Sequence, residues 1–365
     1  MIFVTRKDHR SFVDMCLERS YPMPLEVTVD VYVRGPSYPS CTCDEDKESA
    51  FVPNDIKPCE RHFVFESLAE KRHWERVHTL KIVFYTREDV CSRKQHSLAL
   101  KSCRFLGIPS LQLTSLDWDD RAGGVRHLFS APPFVPTLRS LSFRGSWDDH
   151  ITKLNHLTSF HLWSDRINAE GFRRVILNNQ SVETLSMGCN TFEGNSNGPP
   201  VVLSKLKTFS VNVTDRNSRK TISTLLRVPA LQRLSSLLIS AATGEEYMTD
   251  WFIFRATGDE IVFSIWCSLE CIVATWQGLT GYPSPTIRRV RLENPGRLDF
   301  DIKEGGGVIT LFEDAHTLEI GKDCVNIYCG FFNDLQTLRS KLKTIYFETP
   351  EEAQKFGELD TENRF

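Results

Sequence analysis

Three side chains of the types that commonly anchor protein interfaces, Arg144, His161 and Trp163, stand at outward positions of two neighbouring copies of a short sequence pattern. An indole beside a guanidinium and an imidazole can stack, form hydrogen bonds and make ion pairs, and Trp and Arg are enriched in binding hot spots. We therefore interpret the three residues as a partner-binding patch. The alternative is that Trp163 packs on the adjacent strand as ordinary surface.

Three further residues are predicted to share this surface. The alternation of inward and outward positions along a strand places them on the same side as the patch. They are Asn212, Arg291 and Tyr346.

A second group of residues has the types that bind zinc. Structural Zn²⁺ takes four sulfur or nitrogen ligands, and a segment without its own core gains stability from the metal. The candidate ligands are Cys41, Cys43, Cys59 and His62. The first pair is spaced C-x-C instead of C-x-x-C, and the chain contains 11 cysteines. The alternative, a flexible acidic loop with free thiols, is favoured, and we expect no metal or other cofactor.

The common catalytic motifs are absent from the sequence. It contains no G-x-S-x-G, H-E-x-x-H, G-x-G-x-x-G or Walker A segment. The glycines of Glu304-Gly-Gly-Gly-Val are not followed by the Lys-Ser/Thr of a phosphate-binding loop. We therefore expect a binding protein and not an enzyme.

The pattern that must position the patch is apolar-x-x-apolar-x-apolar. Its clearest copies start at Leu138, Leu157, Val182 and Leu206, and weaker copies start at Val77, Leu113, Leu234, Ile287, Ala315 and Leu342. A spacing of about 20 to 28 residues is typical of leucine-rich repeats. The sequence thus predicts an α/β leucine-rich-repeat solenoid of about ten irregular repeats. Such a fold has a curved parallel sheet on its inner face and helices and loops on its outer face.

The register of the copies can be checked at a position that was not used to find them. The third position of each copy is almost always hydroxylated: Thr79, Ser115, Ser140, Ser159, Thr184, Thr208, Ser236, Arg289, Thr317 and Thr344. We call these residues the hydroxyl column. Because apolar positions alternate with it, the column should face away from the core. Consecutive copies should form neighbouring strands, with a degenerate copy near Val262.

The rest of the chain divides around these repeats. Residues 1–33 are predicted to form a helix and a capping strand, and 34–66 a loop-rich insertion with several prolines. The solenoid is predicted to cover 67–349, with outer helices near 169–179 and 218–226, where apolar residues recur at helical spacing. Residues 350–365 form an acidic tail.

Composition narrows the classes of partner. A formal charge of -3 argues against a general grip on nucleic acid, and no apolar segment is long enough to span a membrane. The odd cysteine count and the charged residues near the N-terminus favour reduced thiols and no signal peptide. We expect a soluble, monomeric protein of the cytoplasm or nucleus that binds another protein.

One segment carries a family likeness. Cys16-Leu-Glu-Arg-Ser-Tyr-Pro-Met-Pro-Leu-Glu-Val-Thr-Val-Asp-Val, with irregular repeats behind it, resembles the region after the F-box in fungal F-box/leucine-rich-repeat-like proteins. In that family the F-box docks on a Skp-type adaptor of a cullin ubiquitin ligase, and the repeats hold the substrate. The resemblance therefore implies the substrate-binding part of such a receptor.

The F-box that the resemblance places upstream is missing from this sequence, which starts almost at the quoted segment. A truncated gene model, an F-box-less paralogue and a misleading resemblance are the three explanations. A Skp-type adaptor is expected as a partner only if an F-box precedes the chain. The other interpretation is a ligase-independent structural or sequestering scaffold.

Overall fold

The structure is a computed structural model of the whole chain. The chain forms two compact units, Met1–Asp165 and Arg166–Phe365. The residues that it describes are 2–4, 10–33, 67–68, 70–86, 112–120, 137–145, 147, 149–194, 198–213, 216–229, 236–240, 252–257, 260–265, 276–281, 288–293, 316–321, 343–351 and 353–355.

The first unit is built on parallel strands that follow one another in chain order. Its elements are β1 (Ile2–Val4), α1 (Arg10–Arg19), β2 (Leu25–Val33), α2 (Lys71–Trp74), β3 (Val77–Thr86), β4 (Ser115–Asp120), β5 (Ser140–Arg144), a 3-10 turn (Asp149–Lys153) and the first part of β6 (Ser159–Asn168). Each strand pairs in parallel with the next, from β1 to β6.

The second unit contains the remaining helices and strands. They are α3 (Ala169–Asn178), β7 (Thr184–Glu193), β8 (Val201–Val202), β9 (Thr208–Val213), α4 (Arg216–Leu225), β10 (Leu226–Arg227), β11 (Ser236–Ser240), β12 (Phe252–Thr257), β13 (Glu260–Ile265), β14 (Arg289–Glu293), β15 (Thr317–Ile320) and β16 (Thr344–Phe347). Its main sheet has the order β7-β9-β12-β13-β11-β14-β15-β16, and β8 and β10 form a separate parallel pair.

The predicted register is confirmed at the parallel pairings between members of the hydroxyl column. In the first unit the hydroxyl column pairs in the order Thr79, Ser115, Ser140 and Ser159. In the second unit Thr184 pairs with Thr208, and Arg289 pairs with Thr317. These hydroxylated side chains are partly exposed, as expected for the sheet face opposite the core. The α/β class with parallel strands is therefore confirmed.

The core lies on the other face of the strands. Leu141 and Phe143 of β5 are buried, and the half-exposed Ser140 and Ser142 alternate with them. The same alternation recurs in β4, β6 and β9, and it buries several large aromatic side chains completely. These include Trp118, Phe160 and Phe209. At about 25 cal/mol per Å² of apolar surface, such side chains dominate the stabilisation of each strand against its neighbours.

The strand order of the second unit corrects one prediction. The copy at Leu234 was expected to pair beside that at Leu206, but β9 instead pairs antiparallel with β12. A strand does exist at the degenerate copy near Val262, but this strand, β13, lies between β12 and β11. The order is possible because only two residues separate β12 from β13, a length that joins antiparallel strands.

Two predicted helices are confirmed on the segments that follow β6 and β9. Helix α3 buries Phe172, Val175 and Ile176 at the expected helical spacing, and α4 buries Ile222 and Leu225. The Asn168 side chain caps α3 by accepting a hydrogen bond from the Gly171 amide at 2.7 Å. An amide acceptor at this position satisfies one of the free backbone donors of the first turn.

The described residues at the two ends of the chain contain several of the predicted elements. Helix α1 and strand β2 are confirmed, although Phe12 and Met15 on α1 are exposed and only Val13 and Leu17 are buried. The predicted insertion at 34–66 lies outside the described residues. In the predicted acidic tail, residues 350–351 and 353–355 are helical, and the rest lies outside the described part.

Candidate functional site

The candidate site lies on the polar face of the first unit, which we define as the sheet side that carries Ser140, Ser142 and Arg144. Parallel pairing places side chains of neighbouring strands in rows across this face, about 4.8 Å apart. One row contains Lys81, Asp117, Ser142 and His161. The next contains Val83, Asp119, Arg144 and Trp163.

Arg144 and Trp163 are direct neighbours in the second row. The guanidinium carbon of Arg144 lies 5.5 Å from the centroid of the Trp163 ring, within the range of a cation–π interaction. The Trp163 residue is 38% exposed, which is unusual for such a large apolar ring. The pair therefore forms a flat, partly apolar platform that reaches the solvent.

Asp119 stands on the other side of Arg144 in the same row. Its Oδ1 lies 3.9 Å from Nε of Arg144, a distance that allows Coulomb attraction but is too long for a hydrogen bond. The Asp119 side chain is only 16% exposed, whereas that of Arg144 is 47% exposed. The carboxylate is therefore more shielded from solvent than the guanidinium that it attracts.

His161 joins the patch through the first row. Its Nε2 lies 3.1 Å from Oγ of Ser159, with the donor set by the tautomer of the ring. Burial lowers the pKa of His161 from its ordinary value of 6.5, and the Asp117 carboxylate opposes this shift only in part. The imidazole is therefore predominantly neutral at pH 7 and acts as a hydrogen-bonding group, not as a cation.

Lys81 and Asp117 form the charged pair at the other end of the first row. Their side-chain nitrogen and oxygen are 2.9 Å apart. The Lys81 side chain is more exposed than that of Asp117, at 47% against 31%. In this pair, as in that of Asp119 and Arg144, the base is more exposed to solvent than the acid.

The structure brings three of the six predicted contact residues together. Arg144, His161 and Trp163 share the polar face of the first unit, while Asn212, Arg291 and Tyr346 belong to the second unit. Asn212 is half-buried between strand partners Gly188 and Ile253, and Tyr346 is exposed beside Glu319. The backbone of Arg291 pairs with that of Glu319, and its side chain lies outside the described part.

Sequence reasoning missed Asp119 as a member of the site. This residue occupies the seventh position of the copy at Leu113, the same position that identified Arg144 and Trp163. Reading that position in every copy would have found it. The pairing of Lys81 with Asp117 follows only from the strand register.

The proposed zinc ligands Cys41, Cys43, Cys59 and His62 lie outside the described residues. Within the described ranges, no group of three or more His, Cys, Asp and Glu side chains is arranged to hold a metal ion.

A buried charged cluster in the first unit was not predicted. Arg76 is 6% exposed, and its Nη2 donates a hydrogen bond to the Leu17 carbonyl oxygen at 2.9 Å. Its Nη1 donates to the Met23 carbonyl oxygen at 3.2 Å, and its guanidinium carbon lies 5.2 Å from the Tyr21 ring centroid. These contacts join α1 and the segment after it to the segment after α2, so we assign the cluster to folding and not to binding.

None of the helices in the described part of the chain combines the length and apolarity that crossing a membrane requires. Neither a scan against family models nor a search of the curated proteins finds a match to this chain.

Proposed function

We propose that this chain is a protein-interaction module of the leucine-rich-repeat type, with about ten irregular repeats, that binds a protein partner through its polar face. The regular pairing of the hydroxyl column supports this architecture. So do helices α3 and α4, which follow strands β6 and β9 in the chain. In this interpretation, the β12–β13 hairpin is an insertion into a sheet whose other strands follow the order of the repeats.

The single observation that supports the binding role is the Arg144–Trp163 platform. A buried Trp would be explained by packing, but this ring lies on the face opposite the core and remains 38% exposed. A Trp side chain loses little conformational entropy for the contact area that it supplies, and Trp and Arg are enriched among the residues that dominate measured interface energies. The function therefore rests on a surface and not on an enclosed catalytic pocket.

The resemblance of the Cys16–Val31 segment to F-box/leucine-rich-repeat-like proteins extends the proposal. On this basis the partner is a substrate of a cullin-type ubiquitin ligase, and the polar face is its docking surface in the cytoplasm or nucleus. A ligase-independent sequestering scaffold is the second candidate, which differs only in lacking the Skp-type adaptor among its partners.

Affinity purification from cells of the native host, followed by quantitative mass spectrometry, tests the binding role. The wild type is compared with Trp163→Ala and with Phe12→Ala, a matched variant that removes an exposed aromatic ring from α1. We expect specific partners to be lost from Trp163→Ala and retained by Phe12→Ala. Unchanged partners with Trp163→Ala would reject the polar face as the docking surface.

The same purification distinguishes the two biological roles. Recovery of a Skp-type adaptor together with the partners supports the receptor of a ubiquitin ligase. Recovery of partners without an adaptor supports the ligase-independent scaffold.

A further inference from the structure

Strand β16 is the last strand of the main sheet in the second unit, and β15 is the only strand that pairs with it among those that the structure describes. Its core-facing side chains, Ile345 and Phe347, are only half-buried, whereas Leu318, the β15 partner of Ile345, is 4% exposed. Tyr346, on the opposite face, is 56% exposed. The edge of this sheet therefore presents apolar side chains that a further strand could cover.

The backbone of β16 also has hydrogen-bonding groups that point away from β15. The Thr344 amide donates to the His316 carbonyl oxygen at 3.2 Å, so the backbone N–H and C=O groups of Thr344 face β15. The direction of these groups alternates along a strand, and those of Ile345 and Phe347 consequently point to the other side. A strand edge of this kind is a template for pairing with another chain.

The two ends of β16 carry opposite charges. Lys343 precedes the strand, Glu348 and Glu351 follow it, and all three residues are exposed. A second copy of β16 in antiparallel orientation places the lysine of each copy near the acids of the other. A parallel copy would place lysine beside lysine. Charge complementarity therefore favours an antiparallel copy of this same strand.

We propose that two copies of this chain form a symmetric dimer by antiparallel pairing of their β16 strands. The two-fold axis of such a dimer is perpendicular to the sheet, and the core faces of both copies lie on the same side of the joined sheet. Residues that stand directly opposite each other must therefore point to the same face. This condition leaves few registers for the pairing.

One of these registers matches the side chains of β16 to themselves. When Tyr346 stands opposite Tyr346 of the second copy, Ile345 of each copy stands opposite Phe347 of the other. These two residues then exchange backbone hydrogen bonds, and their apolar side chains continue the core from one copy to the next. The register with Ile345 opposite itself would instead set Phe347 opposite the charged Lys343.

The dimer is a weak one, because a strand of four residues buries less surface than a standard protein interface. It replaces the monomer that is expected from the sequence. The inference does not rest on the proposed function, since the polar face belongs to the first unit and β16 to the second.

Sedimentation velocity of the full-length chain over about 1–200 μM tests the dimer. We expect the wild type to change from monomer to dimer within this range. Tyr346→Lys and Tyr346→Glu each place like charges at the two-fold axis and should raise the dissociation constant about tenfold or more. Phe12→Lys is the matched control, because it changes an exposed aromatic residue of α1 and should leave dimerisation unchanged.

A mixture of the two Tyr346 variants tests the symmetry of the contact. At equal concentrations, Tyr346→Lys and Tyr346→Glu should form a mixed dimer more tightly than either variant associates with itself. The reason is that a lysine of one copy then stands opposite a glutamate of the other. Circular dichroism establishes that each variant is folded before the two are mixed.

Hydrogen exchange of the wild type supplies a measurement that needs no variant. The amides of Ile345 and Phe347 should exchange more slowly as the protein concentration rises. The amide of Thr344, which already donates to His316 within one copy, should change little. This comparison decides the question even where a Tyr346 variant fails to fold.

A wild type that stays monomeric across the whole range would overturn the inference. A dimer that Tyr346→Lys leaves unchanged would do the same, because the contact would then lie elsewhere. If the mixed variants associate no more tightly than either one alone, the antiparallel pairing about Tyr346 is wrong. None of these results decides whether the polar face binds a protein partner, which the affinity purification with Trp163→Ala tests separately.

Discussion

The Nδ1 atom of His73 lies 3.2 Å from Nη2 of Arg76, and both residues are buried. Because a guanidinium can only donate, Nδ1 is the acceptor, and the proton of the neutral ring is on Nε2. That nitrogen faces carboxylate oxygens of Glu18 at 3.5 Å and Glu70 at 3.7 Å. A second proton, on Nδ1, would set two donors against each other, so this contact requires a neutral imidazole.

The first prediction concerns the pH dependence of stability. Burial is the main reason that the pKa of His73 lies below its ordinary value of 6.5, and the charges of Arg72 and Arg76 add to it. The unfolded chain therefore binds a proton more readily than the folded chain as the pH falls below 6.5. The stability that neutral His73 supplies is complete above that pH and is lost progressively below it.

Urea unfolding between pH 5.5 and 7.5 checks this prediction. We expect the free energy of unfolding of the wild type to fall on acidification, and that of His73→Gln to fall less steeply. An amide can still accept from Arg76 but does not titrate. His161 contributes a shift of the same sign, so the variant retains part of the slope. Parallel curves for the two proteins would contradict the assignment.

The second prediction concerns Arg76. Replacing it with Met keeps most of its volume but removes the hydrogen bonds to the Leu17 and Met23 carbonyl oxygens. A buried acceptor left without a partner costs about 1–3 kcal/mol, so we expect Arg76→Met to lose about 2–4 kcal/mol of unfolding free energy. Arg72→Met is the control, because exposed ion pairs such as that of Arg72 contribute about 1 kcal/mol or less. Similar losses in both variants would argue against the buried cluster.

The third prediction compares the contributions to stability of two tryptophans that lie on opposite faces of the sheet. Trp118 is fully buried in the core of the first unit, whereas Trp163 lies on the polar face. We expect Trp118→Ala to lose about 3–5 kcal/mol of unfolding free energy, and Trp163→Ala about 1 kcal/mol or less. Urea unfolding monitored by circular dichroism measures both. A large loss in Trp163→Ala would mean that this ring stabilises the fold.

The fourth prediction tests the start of α3. Asn168→Ala removes the acceptor for the Gly171 amide and should lower the unfolding free energy by about 1 kcal/mol. Asn168→Asp keeps an oxygen at the cap and adds a favourable charge at the helix N-terminus, so it should remain close to the wild type. If Asn168→Asp lost as much as Asn168→Ala, the side-chain cap would not explain the effect.

The platform could be anticipated because its two residues occupy the same position of consecutive copies. Once Ser140 is aligned with Ser159, Arg144 and Trp163 become strand neighbours without any further information. Register is a local property: shifting a strand by one residue would expose Leu141 and Phe143 and bury Ser140. The apolar pattern therefore determines the register, and the register determines which side chains become neighbours in the site.

The recessed position of Asp119 could not be read in the same way. A pairing partner is set by register, but the depth of a side chain depends on its length and on what covers its strand. The same row shows this, since Val83 is 4% exposed while Trp163 is 38% exposed. Packing therefore decides which of two paired charged side chains is the more exposed to solvent.

By itself, the sequence determined most of the parallel strands, the register of the hydroxyl column, helices α3 and α4 and the face on which Arg144 and Trp163 lie, because period-two and helical alternation are local and are enforced by burial. Only the tertiary structure decided that β12 pairs antiparallel with β9 and that Arg76 reaches back to Leu17. Backbone hydrogen bonds are nearly the same for any strand partner, and a buried arginine finds its acceptors far away in the chain. Neither the pairing of β12 with β9 nor the contact of Arg76 with Leu17 produces a periodic pattern in the sequence from which it could be predicted.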